Sequence, residues 1–228
     1  MKVSIIIPVY NEEKFIKNCL DSLMKQEEKP DEIIVVDNNC TDNTINVVKK
    51  YKNIKVIRER KQGIIAARDA GFNVALGDIL IKMDADVLIP KNFVKKIKLD
   101  FKKYQKIAGI TVYINFHDSL FLRSTKFYFD VYMWIAKITI GHYIFGGPAY
   151  AVSRKFWEMV KNEVCIDDKK VHEDIDLSIH IGKRGQILFD QSLVTYASGR
   201  RIKNNPFSFF IEYPLRFFKM LISHRHLV

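Results

Sequence analysis

The chain has 228 residues, 48% of them hydrophobic and 12% aromatic, which is ample for one large core and excludes a disordered chain. Lysine plus arginine (37) exceed aspartate plus glutamate (26), a formal net charge of +11 that favours an anionic partner: nucleic acid, acidic lipid headgroups or phosphorylated substrates. Three cysteines, at positions 19, 40 and 165, lack metal-site spacing and leave one unpaired under any disulfide scheme, so a reducing compartment fits best.

In chain order, Val3–Val9 is a continuous apolar run of buried-strand length, rich in β-branched residues. Asn11 is expected to cap a helix with Glu12 and Glu13 in its first turn and Phe15, Ile16, Cys19, Leu20, Leu23 and Met24 on its apolar face. Residues 32–36 read as a second buried strand, followed by the turn-rich segment 37–42 and a helix carrying Ile45, Val48 and Tyr51. Residues 54–57 are a third strand, 63–76 a small-residue helix, and 78–83 a fourth strand that delivers Asp84. Pro90 suits the first turn of a helix running to about Tyr104.

The second half is less regular. A strand is expected at 107–113, a long aromatic helix at 120–140, a strand at Ala149–Ser153, and helices at 155–160 and Glu173–Gly182. Strand fragments follow at 187–189 and 194–196, and the stretch 207–222 mixes aromatic and basic residues around Pro214. Repeated strand–helix units with short connections predict a single α/β domain with a mostly parallel, Rossmann-like central sheet and helices on both faces. Ligands collect at the carboxyl ends of such strands. Asp37, Asp84 and the segment 8–12 all sit there.

Two acidic clusters carry the chemistry. Asp84-Ala85-Asp86 ends the fourth buried strand, and Glu173-Asp174 opens a helix. Paired carboxylates at a strand exit suit Mg²⁺ or Mn²⁺, which take one or two carboxylates plus substrate phosphates. A separate carboxylate can then serve as general base.

Five ordered segments resemble the family 2 inverting glycosyltransferases of GT-A fold: Ile5-Ile6-Ile7-Pro8-Val9-Tyr10-Asn11-Glu12; residues 35–44 through Asp37; Gly63 with Ala67-Arg68-Asp69-Ala70-Gly71; Asp84-Ala85-Asp86; and His172-Glu173-Asp174-Ile175-Asp176-Leu177. The similarity covers about residues 1–100 closely and 145–200 more loosely. It implies a nucleotide-sugar-binding half over 1–105, an acceptor-binding half over 106–200 and a basic aromatic helical tail over 201–228. It also implies transfer of a sugar from a UDP- or GDP-linked donor to an acceptor hydroxyl, in polysaccharide, glycolipid or glycan synthesis.

By the same resemblance, Pro8, Val9, Tyr10 and Glu12 form the nucleoside pocket, and Asp37 accepts a hydrogen bond from the base. Gly63, Arg68 and Ala85 are donor-side residues, with Arg68 holding carboxylates that otherwise repel. Asp86 coordinates the metal, while Asp84 contacts the ribose or a metal-bound water. Asp174 is the base, with Glu173 beside it. His172 is either a metal or phosphate contact or structural. Gly146 and Gly147 bring backbone close to substrate or form an ordinary tight turn. Arg200 and Arg201 clamp the diphosphate or belong to a basic surface turn.

Position 88 is leucine where polyprenyl-phosphate mannose synthases carry glutamine, and the Gln-x-x-Arg-Trp motif of processive synthases is absent. A sugar nucleotidyltransferase or a dinucleotide-binding oxidoreductase would need a glycine-rich loop after the first strand, which here reads Pro-Val-Tyr-Asn-Glu-Glu. A non-enzymatic module binding nucleic acid or anionic membrane explains the charge but not the acidic motifs, and no nucleic acid is expected. The expected acceptor is a saccharide or a lipid-linked one. The N-terminus enters a strand at once, which predicts a cytoplasmic protein without a signal peptide, and the basic tail keeps a peripheral position on an anionic membrane open.

Overall fold

A computed structural model of the chain describes residues 1–116, 126–168 and 170–200, together with Phe217 and Met220. Its frame is one seven-stranded sheet built from β1 (Val3–Val9), β2 (Glu32–Asp37), β3 (Ile54–Arg58), β4 (Ile79–Met83), β5 (Ile107–Phe116), β6 (Ala149–Ser153) and β7 (Gln186–Ala197), in the order β3-β2-β1-β4-β6-β5-β7. β1 pairs in parallel with both β2 and β4, β2 pairs in parallel with β3, and β5 with β7. β6 runs antiparallel to both its neighbours, β4 and β5. Its amino-terminal entrance therefore opens at the edge where β1, β2 and β4 end.

The sheet is covered on both faces, and the pleat decides which residue goes where. Ile5, Ile7, Ile33, Val35 and Ile81 point into one core with Leu20 and Leu23 of α1 (Ile16–Met24), Val48 of α2 (Thr44–Val48) and Phe93 and Ile97 of α4 (Phe93–Lys103). Ile6, Ile34, Val36 and Leu80 point into the other. They meet Ala67 and Phe72 of α3 (Ile64–Val74), Trp157 of α6 (Arg154–Val160) and Leu177 and Ile181 of α7 (Glu173–Gly182). At Gly71 the helix backbone comes so close to the sheet that an added Cβ would stand 2.3 Å from Ile6 Cγ2. A third cluster joins Met133 and Ala136 of α5 (Lys126–Ile140) to Ile175 and Ile179 of α7, with Phe217 and Met220 packed in.

Several expectations need correction. Asn11 caps no helix: it adopts φ 55°, and its Oδ1 accepts from the backbone N–H of Thr41 at 2.8 Å. A turn closed by Phe15 N–H on the Glu12 carbonyl follows, and α1 begins only at Ile16. The fragments at 187–189 and 194–196 are one strand, β7, whose register against β5 shifts between Val112 and Tyr113. α3 and α4 are shorter at their ends than the patterns predicted, while β5 runs three residues further, to Phe116. The expected helix over 120–140 is described from Lys126. Within the tail 201–228, only Phe217 and Met220 are described, both in a helix.

Candidate active site

The site is assembled at the carboxyl edge of β1, β2 and β4. β1 ends in buried Pro8 and Val9, and the Tyr10 ring that follows is 52% exposed. The turn after it is tied to the start of α2, because Glu12 N–H donates to Thr44 Oγ1 at 2.7 Å. Asp37 closes β2, and its Oδ1 accepts the Cys40 N–H at 2.8 Å. Buried Asn38, which the sequence placed in the motif after β2 without a role of its own, locks the connection from β3 to α3. Its amide donates to the carbonyls of Glu59 and Lys61, and its Oδ1 accepts from Gly63 N–H at 2.8 Å.

Gly63 enters α3 at φ 141°, and an added Cβ would stand 1.9 Å from Asp168 Oδ2. Asp168 Oδ1 accepts the Ile65 N–H at 3.0 Å. The neighbour of Gly63 in this structure is thus an acidic residue, one that the motifs did not single out.

Asp84 and Asp86 leave β4 around buried Ala85, with Asp84 N–H bonded to the Pro148 carbonyl at 2.9 Å. Asp84 Oδ1 lies 2.5 Å from Lys82 Nζ. Asp86 Oδ2 lies 3.1 Å from Arg200 Nε, and Arg200 Nη2 reaches Glu12 Oε1 at 2.5 Å. Paired backbone bonds between Leu88 and Tyr196, 2.8 and 2.9 Å long, hold the segment bearing Arg200 beside the acidic turn. Burial, then the neighbouring Asp84 and Glu12, push the Asp86 carboxyl up to about 6, against the pull of Arg200.

A hard divalent cation fits this set. The donors are carboxylate oxygens, their mutual repulsion raises Asp86, and buried Glu12 Oε2 has no hydrogen-bond partner among the described residues. Among the described residues no cluster of three or more acidic, histidine or cysteine side chains is arranged to hold a metal by itself. The protein's share of such a site is one or two carboxylates.

The opposite wall is the loop entering β6 and the first turn of α7. Gly146 N–H donates to Thr111 Oγ1 at 3.0 Å, and an added Cβ on Gly147 would stand 3.0 Å from Asp174 Oδ2. Asp174 is pushed up to about 7 by burial and by Glu173, which Lys82 partly opposes. His172 is the buried N-cap residue of α7.

Arg68 and Glu173 stand behind this wall. Arg68 is wholly buried, and it does hold carboxylates, but they are Asp69 and Glu173 rather than the strand-exit pair: Nε reaches Asp69 Oδ1 and Nη1 reaches Glu173 Oε2, both at 2.8 Å. Burial pushes the Glu173 carboxyl up, and Lys82 and Arg68 more than reverse it, leaving it below its usual range. Arg201 lies outside the described residues.

A doubly covered, mainly parallel sheet with an acidic strand exit facing a carboxylate-tipped helix is the architecture of the GT-A glycosyltransferases. The chain belongs to glycosyl transferase family 2, whose sequence model matches residues 4–160. It is 26% identical over 270 residues, 97% of this chain and 80% of that one, to a Methanococcus voltae dolichyl N-acetyl-alpha-D-glucosaminyl phosphate 3-beta-D-2,3-diacetamido-2,3-dideoxy-beta-D-glucuronosyltransferase. It is 31% identical over 134 residues to glycosyltransferase GlyA of Streptococcus pneumoniae, which covers 57% of this chain but only 19% of that much longer one. In three dimensions it resembles the mannosyltransferase PcManGT of Pyrobaculum calidifontis, solved with GDP-Man and Mn²⁺. That match has a TM-score of 0.70 and 22% identity, covering 86% of this chain and 56% of the other.

Proposed function

We propose that the chain is an inverting glycosyltransferase that moves a sugar from a nucleoside-diphosphate sugar to an acceptor hydroxyl. One observation carries the reading. Asp84 and Gly147 meet at a single ammonium, Lys82 Nζ, at 2.5 and 2.6 Å, and Asp174 Oδ2 lies against Gly147. The strand-exit carboxylate and the helix-tip carboxylate are therefore linked through Lys82 and Gly147, although 90 residues separate them in sequence.

In this reading Pro8, Val9, Tyr10 and Asp37 receive the nucleoside, with UDP and GDP the candidate donor carriers. Asp86, assisted by Asp84, would hold Mn²⁺ or Mg²⁺, which would neutralise charge on the departing diphosphate. Arg200 and Arg201 supply positive charge to the same phosphates. Asp174 takes the proton from the acceptor hydroxyl as that oxygen forms its bond to the anomeric carbon. The bond from that carbon to the diphosphate oxygen breaks on the opposite face, so a single displacement inverts the centre. A carboxyl near 7 is well matched to this task, since proton transfer is most effective when the base titrates near working pH.

A lipid-linked acceptor, including a polyprenyl phosphate, is favoured by a separate feature. Val131, Trp134, Ile135 and Ile138 recur along one face of α5 and are 36%, 62%, 43% and 62% exposed. The Methanococcus relative is named for a dolichyl-linked substrate. Among the described residues no helix is long and apolar enough to cross a membrane, so α5 would lie on an anionic bilayer surface.

The test is Asp174→Asn, followed by release of nucleoside diphosphate from UDP- and GDP-sugars and by calorimetric binding of UDP and GDP with Mn²⁺. Loss of turnover with binding retained is expected. Near-normal turnover in a folded variant would remove Asp174 as base.

A further inference from the structure

Lys82 belongs to none of the motifs discussed above. In the β4 pattern it looks like a polar interruption, yet it is 2% exposed between fully buried Ile81 and Met83. A buried lysine is costly unless each of its protons finds an acceptor. An ammonium has three N–H donors and no acceptor. This one donates to Asp84 Oδ1 at 2.5 Å and to the Gly147 carbonyl at 2.6 Å, and forms an ion pair with Glu173 Oε1 at 3.2 Å. They come from the exit of β4, the entrance to β6 and the first turn of α7, the segments that form the two walls of the site.

The far side of the arrangement is equally fixed. Glu173 Oε2 accepts from Arg68 Nη1 and from the Tyr150 hydroxyl, both at 2.8 Å. The Tyr150 ring lies 5.8 Å from the Lys82 ammonium. Two of its protons are committed to Asp84 and Gly147, and its charge is matched by Glu173.

We propose that Lys82 is a positioning residue that sets the separation between the donor-side carboxylate of Asp84 and the acceptor-side carboxylate of Asp174. The inference rests on the glycosyltransferase reading. Pinning Asp84 Oδ1 leaves Oδ2 as the oxygen available to a ligand. Pinning the Gly147 carbonyl fixes the backbone against which Asp174 Oδ2 rests. Pinning Glu173 fixes the helical turn that carries Asp174. One cation thus adjusts both walls, and a small error in its place moves the base relative to the leaving group. Misplacement by about 1 Å costs on the order of 100-fold in rate.

The experiment compares Lys82→Met and Lys82→Arg in the full chain. Readouts are the thermal midpoint, calorimetric affinity for UDP or GDP with Mn²⁺, and kcat and KM from release of nucleoside diphosphate. Lys82→Met, which keeps the length and removes the charge, is expected to lower kcat about 100-fold while nucleotide affinity changes only a few-fold. Lys82→Arg keeps the charge but replaces a compact tripod with a longer planar fork, and it is expected to lower kcat as well. A residue that merely balances buried charge would be replaced by arginine without loss of kcat. Parental kcat in a folded Lys82→Arg protein overturns the proposal, as does a Lys82→Met defect confined to KM. If Asp174→Asn is inactive while both Lys82 variants turn over normally, this inference alone fails. If Asp174→Asn remains active, the reading beneath it fails.

Discussion

Arg200 stands 3.1 Å from Asp86 through its Nε and pairs with Glu12 through Nη2, its guanidinium stacked 4.2 Å from the centre of the Phe15 ring. The acidic turn after β4 is therefore already served by a cation belonging to the chain. In the proposed mechanism a metal ion approaching Asp86 would compete with that guanidinium, and an incoming diphosphate would offer the arginine a replacement partner.

Arg200→Ala should consequently bind Mn²⁺ alone more tightly and nucleoside diphosphate with Mn²⁺ more weakly. A charge-assisted contact contributes about 1.5–3 kcal/mol, so each change is expected to be roughly tenfold or more. Titration calorimetry of both ligands checks this, and Mn²⁺ affinity identical to the parent's would show that the arginine does not compete.

Turnover should rise as pH increases through about 7, following ionisation of Asp174, because the base works only when deprotonated. Stability from this group moves the other way. Folding raises the carboxyl from 3.8 to about 7, so its contribution is complete below 3.8 and is lost as pH rises through 7. A pH–kcat profile and pH-dependent melting of the parent against Asp174→Asn measure both. A parental melting curve that keeps its slope in the Asn variant would assign that slope elsewhere.

Arg68→Met should destabilise the fold strongly, because it removes a wholly buried cation from Asp69 and Glu173. Breaking one side of a buried pair costs about 3–5 kcal/mol, and the Lys82 contact to Glu173 places the expectation at the lower end. Urea denaturation reports it. A loss below about 1 kcal/mol would mean that Lys82 alone satisfies the carboxylate.

The chain has two tryptophans, and they differ: Trp134 is 62% exposed on α5, while Trp157 is fully buried. If α5 rests on a bilayer, vesicles containing phosphatidylglycerol should shift tryptophan emission to the blue and carry the protein on flotation. Phosphatidylcholine vesicles should do so far less. Trp134→Ser should abolish the shift, and Ile138→Ser should weaken flotation. Equal flotation of parent and Ile138→Ser would take α5 out of the contact.

Much of the frame was legible because parallel strands buried on both faces are written as unbroken apolar runs, as in Val3–Val9, and because Glu173–Gly182 couples an acidic first turn to helical spacing. What escaped depends on contacts far apart in sequence. Asn11 looks like a helix cap, but its side chain is spent on Thr41, 30 residues away. β7 reads as two fragments because its middle, around Gln191 and Ser192, is exposed and departs from the register of β5. Asp168 at Gly63 and Asn38 on the loop after β2 act through single polar contacts distant in sequence, which no local pattern betrays. Lys82 was invisible for the opposite reason: in a hydrophobic run a lysine reads as noise, and only the two acceptors and the carboxylate around it give it meaning.

The backbone bridge between Leu88 and Tyr196 has a mechanical corollary. It is a fixed point of the backbone, and Arg200 follows it by four residues. At about 3.5 Å per extended residue, the arginine's backbone is leashed within roughly 14 Å of that point. The tether keeps the guanidinium within reach of Asp86 and Glu12.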